Sequence, residues 1–203
     1  MQNKSWVIKA FLLTFLICLL ISGASNYIAS NANIVILLLI TIIIVIVGII
    51  FDIIGTSVLT AEESTFHAKA SNKIKGSKES LKLIKNASNI ANFCNDIIGD
   101  ICGIVSGSMG AMIAINVANK LNTSSTISAL VISSIISSLM VGGKAIGKNI
   151  AVKESDKIIF TVGKILNHFK KFMKKEGIPL HKFEKMIERM KFLIQLSFHE
   201  YFP

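Results

Sequence analysis

The chain has 203 residues, of which 52% are hydrophobic and only 17% charged, with a mean hydropathy of +0.62. Its 22 Lys and Arg outnumber 12 Asp and Glu, giving a formal net charge of +10. Those values place it among membrane proteins and argue against nucleic-acid binding, because no aromatic-plus-basic platform accompanies the charge.

A bilayer core needs about 20 apolar residues per helix, and four segments qualify. With two prolines and no alternating apolar pattern, the expected class is all-α: a polytopic helical membrane protein with cytoplasmic surface helices, not a β-barrel. Trp6–Ala24 is the first span. Lys4, Lys9 and the small residues Ser22-Gly-Ala24 also fit a signal peptide; residues 1–30 are read as a retained helix or signal anchor. The second span, Ile34–Thr56, is almost unbroken Ile, Leu and Val, and Asp52 interrupts it.

Residues 62–90 are polar and helix-forming. Leu81, Ile84 and Ala87 recur at helical spacing opposite Lys78, Lys82 and Lys85, which predicts a helix near the membrane surface. The third span, Phe93–Val117, holds Gly99, Gly103, Gly107 and Gly110 at intervals that allow close helix approach. The fourth, Thr126–Gly142, is rich in serine. After Gly142 the chain turns basic, and residues 151–203 are read as amphipathic cytoplasmic helices. One carries Ile158, Val162, Ile165, Leu166 and Phe169. The other, beyond Gly177 and Pro179, carries Leu180, Phe183, Ile187, Met190 and Ile194. Such faces suit an anionic leaflet or a partner.

Lysines crowd the middle connection and the tail but not the connections at 25–33 and 119–125. The positive-inside rule therefore puts both termini in the cytoplasm of a multi-pass cell-membrane protein. Cys18, Cys94 and Cys102 fit neither a zinc pattern nor a disulfide framework. No enzyme is expected: His67, His168, His181 and His199 are scattered, and no nucleophile motif or phosphate loop occurs.

The chemistry lies in carboxylates placed where lipid disfavours them. Asp52, Glu62, Glu63, Asp96 and Asp100 occur within about two helices' length. Asp96 and Asp100 share one helix face. Thr60, Ser64, Asn92 and Asn95 add neutral oxygens, a donor set suited to a hard cation such as Mg2+. Against this stands a simpler reading for Glu62, a first-turn residue favoured by the helix dipole.

At these residues the chain resembles the transmembrane domain of the CNNM and CorC/CorB family. Thr60-Ala-Glu-Glu-Ser-Thr65 is similar to that family's Ser-Gly-Ser-Glu-Thr-Ala segment, Ile97-Ile-Gly-Asp100 to its Leu-Ile-Gly-Asn motif, and Leu139–Lys148 to its Gly-Glu-Ile-x-Pro-Lys motif. The likeness spans Ile34–Phe169, most of it in a domain at 31–150. It implies Mg2+ or Co2+ transport or efflux, a homodimer, and roles for Glu63 and Asp100 at the ion site; with the buried-acid reading of Asp52, the expected ligands are Glu63, Asp100 and Asp52, with Asn95, Asp96, Thr60 and Ser64 in support. Lys144 stands where the family has glutamate and Gly147 where it has proline, so Lys144 is expected to neutralise the site. The alternative is a membrane scaffold that keeps the fold without transport.

Overall fold

The computed structural model describes residues 33–175, together with Leu12, Phe15, Leu16, Cys18, Leu19, Leu20, Gly23 and Tyr27. The described residues are all-α with no strand, as expected. Most of the first predicted span, and the predicted helix at 180–194, lie outside them.

The elements run α1 (Ile34–Thr60), α2 (Glu63–Ser71), α3 (Ser77–Ile84), α4 (Ala87–Asn92), a π-helical turn (Phe93–Ile98), α5 (Gly99–Leu121), α6 (Ser125–Lys153) and α7 (Ser155–Lys175). Three stretches among the described residues are long and apolar enough to cross a membrane: Ile34–Thr60, Ala87–Leu121 and Ser125–Lys153. The predicted surface helix at 62–90 is instead three short helices. Lys73 (φ 54°) and Gly76 (φ 93°) take left-handed backbone between the first two, which ends α2 and starts α3. The fourth predicted span lies within a longer helix that continues past Gly142 to Lys153, so Lys144 is an interior helical residue.

The chain divides into two compact units. The apolar unit takes residues 34–53 of α1 and Cys94–Asn149. Its core is Leu37 with Val105, Met109 and Ile113, and a second layer of Val45, Cys102, Ile136 and Met140. Only one stripe of each helix is inward. Val35, Ile36, Leu39, Ile43 and Ile46 of α1, with Leu130, Val131, Ile135 and Leu139 of α6, point outward. In water such a surface would be an aggregation liability; against lipid it is the expected exterior. Buried Thr41 satisfies its hydroxyl by donating to the Leu37 carbonyl, 2.8 Å away.

Glycines set the contact between α1 and α6. A Cβ on Gly143 would collide with Ile49, and one on Gly147 would lie 2.8 Å from Ile53 Cγ1. Within a helix glycine is unfavourable by about 1 kcal/mol relative to alanine, so close packing is what retains these two.

The other unit comprises Ile54–Phe93 and the described residues from Ile150. Phe66, Val58, Ala91 and Ile159 form its core, edged by Leu81, Ile84 and Ala87, the stripe expected from helical spacing. Here α3 crosses α7 so closely that a Cβ on Gly163 would strike Ser80 Oγ and lie 2.6 Å from the Gly76 carbonyl. The Ser80 hydroxyl donates to the Ile159 carbonyl at 3.0 Å, and Ser57 donates to that of Ala151 at 3.3 Å.

Candidate functional site

In the apolar unit, Ile49, Asp52 and Ile53 occupy one face of α1 at i, i+3, i+4 spacing. Gly143, Lys144 and Gly147 occupy one face of α6. Because Ile49 and Ile53 seat against the two glycines, Asp52 and Lys144 are drawn to the same level. Asp52 Oδ1 lies 3.9 Å from Lys144 Nζ, with the Asp52 side chain 5% and the Lys144 side chain 24% exposed. The lysine amine also rests against α5, where a Cβ on Gly99 would be only 3.2 Å from it. Any larger residue at 99 would press on the ammonium.

The pair is incompletely satisfied. Asp52 Oδ2 is buried without a hydrogen-bond partner, and so is Asn95 Oδ1. Asn95 belongs to the π-helical turn, one turn before Gly99. A π turn widens the helix locally and alters which way its side chains face, and such turns recur at functional sites. A buried carboxylate oxygen and a buried amide oxygen therefore both lack donors in this unit. Water, a proton or a cation would satisfy them.

The remaining expected ligands are arranged otherwise. Asp96 and Asp100 are exposed where the π turn meets α5, so neither side chain is brought to the buried Asp52–Lys144 pair. Lys144 pairs with Asp52 and not with Glu63 or Asp100. Glu63, Thr60 and Ser64 belong to the other unit. There Glu63 Oε1 is 3.1 Å from His67 Nε2, with both side chains about half exposed, the solvated i,i+4 pair that helical spacing also allows. Ser64 donates to Glu62 Oε1 at 2.7 Å, and Thr60 Oγ1 donates to the Thr56 carbonyl at 3.2 Å. Asn92, also in that unit, has a buried Nδ2 without a partner. Among the described residues no group of three or more His, Cys, Asp and Glu is placed to hold a metal ion. All three cysteines are free.

Two contacts had no signal in local sequence. The Asp52–Lys144 pair joins residues on different spans. Asp156 at the start of α7 accepts the Glu62 backbone N–H at 3.0 Å, an N–H that begins α2 without a cap from its own segment. Compared with known proteins, the chain matches no family model, no curated protein and no solved structure.

Proposed function

We propose that this chain is a multi-pass membrane protein that binds or moves a cation at Asp52, with Lys144 as the tethered charge that holds the carboxylate between ions. One observation carries the reading. A carboxylate buried in an apolar helical unit has one oxygen without a donor and the other met only at 3.9 Å. Intramembrane carboxylates are rare, and those that persist commonly mark ion or proton pathways. Asn95 Oδ1, likewise lacking a donor, is a neutral oxygen of the kind hard cations accept.

The resemblance to the CNNM and CorC/CorB transmembrane domain supports Mg2+ or Co2+ as cargo and a homodimer as the assembly. The lysine distribution supports both termini and the 61–92 connection on the cytoplasmic side of the cell membrane. An ammonium beside the carboxylate reduces the charge available to a divalent ion. Cation entry therefore requires Lys144 to move away from Asp52.

A second reading is a non-transporting scaffold. It is favoured by the Lys144 pairing and by the lack, among the described residues, of any three-residue ligand group. Calorimetric titration of purified protein with MgCl2 and CoCl2, joined to flux in proteoliposomes, separates the two. The cation reading expects saturable binding that Asp52→Asn removes and Lys144→Met tightens. Absence of saturable binding in both the native chain and Lys144→Met would establish the scaffold instead.

A further inference from the structure

The unit that holds α7 carries a convergence of charge that the Asp52 site does not use. The half-buried ring of Phe160 has two ammonium groups over it, Lys69 Nζ at 4.9 Å from its centroid and Lys164 Nζ at 4.3 Å. Lys69 comes from α2 and Lys164 from α7, so the fold brings them together. Neither has a carboxylate partner among the described residues. Among the described residues, the ion pairs of this unit are Glu63–His67, Glu154–Lys157 and Glu79–Lys170. A ring quadrupole attracts each cation but does not cancel its charge. The two ammoniums, no farther apart than the sum of their distances to the ring centre, repel each other. An anion bound to these ammoniums offsets that charge.

What kind of anion follows from the rest of α7. Immediately after Lys164, Ile165, Phe169 and Phe172 recur at i, i+4, i+7 and are 61%, 57% and 55% exposed. That stripe has no covering element among the described residues. Helix α7 also begins one residue, Glu154, after α6, itself long and apolar enough to span a membrane. A lysine pair without carboxylate partners, in the same unit as an uncovered apolar stripe on a helix directly after a span, matches the two halves of an anionic phospholipid.

We propose that Lys69 and Lys164, held over Phe160, bind the phosphate of an anionic phospholipid, with Ile165, Phe169 and Phe172 against the same leaflet. Each ammonium donates to a phosphate oxygen. The ring fixes both lysines, so less side-chain freedom is lost on binding. This inference stands independently of the Asp52 reading.

The test uses the full chain in detergent, titrated with phosphatidylglycerol, phosphatidylcholine or inorganic phosphate. Bound lipid is counted by native mass spectrometry and stability followed by thermal unfolding. Phosphatidylglycerol is expected to bind and raise the unfolding midpoint, and the other two are not. Removing one lysine weakens phosphatidylglycerol binding about fivefold, and Lys69→Gln with Lys164→Gln about twentyfold. The midpoint in phosphatidylcholine stays as in the native chain. Lys69→Arg with Lys164→Arg restores binding. Lys157→Gln, whose native amine is already paired with Glu154, leaves it unchanged. Equal binding of the two lipids, or full retention by the double Gln variant, overturns the proposal. Stabilisation by inorganic phosphate alone overturns the lipid assignment.

Discussion

Asp52 and Lys144 stabilise each other chiefly by avoiding something worse, since each alone would be a buried charge without a counter-ion. Breaking such a pair by removing one partner costs about 3–5 kcal/mol. The 3.9 Å separation and the partial exposure of Lys144 place this one at or below the lower end. Asp52→Asn and Lys144→Met should each lower the thermal midpoint of the detergent-solubilised protein clearly. The double replacement Asp52→Asn with Lys144→Met should recover most of the loss, because neither charge is then stranded. Additive losses in the double variant would show that the two groups are not coupled. A cation that binds Asp52 should also stabilise Lys144→Met more than the native chain, as a ligand favouring the folded state does. At this scale the sequence marked Asp52 as an anomalous acid and Lys144 as a charge expected to neutralise the acidic site. Which acid the lysine meets was not legible. It depends on the register of α1 against α6, which the contacts of Ile49 and Ile53 with Gly143 and Gly147 set.

Among the elements, glycine serves two kinds of contact, and the replacement cost differs accordingly. At Gly163 an added Cβ meets the Gly76 carbonyl at 2.6 Å and the Ser80 amide nitrogen at 2.9 Å. Backbone cannot step aside without separating α3 from α7. Gly163→Ala should destabilise by about 2–3 kcal/mol or more, read as a lower unfolding midpoint. At Gly147 the neighbours are side-chain atoms of Ile53 and Ile49, which can shift, so Gly147→Ala should cost only about 1 kcal/mol. Similar losses at both positions would contradict this account of the crossings. The same reasoning explains where the sequence reading of elements went astray. The chain turns basic after Gly142, yet α6 runs on to Lys153, and its glycines at 143 and 147 leave the room that Ile49 and Ile53 of α1 fill. Residues 62–90 read as one helix because Leu81, Ile84 and Ala87 keep helical spacing. The breaks come from left-handed backbone at Lys73 and Gly76, and α7 lies directly against Gly76.

For the whole molecule, the lysine pattern predicts a topology that cysteine labelling can check. In a cysteine-free background, Ser124→Cys, in the connection between α5 and α6, should react with an impermeant maleimide in intact cells. Lys75→Cys, between α2 and α3, should react only after permeabilisation. The reverse pattern would invert the orientation and place Lys69 and Lys164 away from the cytoplasmic leaflet. The sequence by itself determined the all-α class and the apolar segments, because these rest on composition and period, which each segment carries alone. It also singled out the acids that bilayers disfavour. Only tertiary structure decided which acid is buried, and with what. Asp52 turns inward, Asp100 and Asp96 face outward, and Glu63 stays with His67 on an exposed helix. Depth in a sequence is a position along one helix. Burial is a matter of which face a second helix covers, and close packing at a few glycines fixes that face.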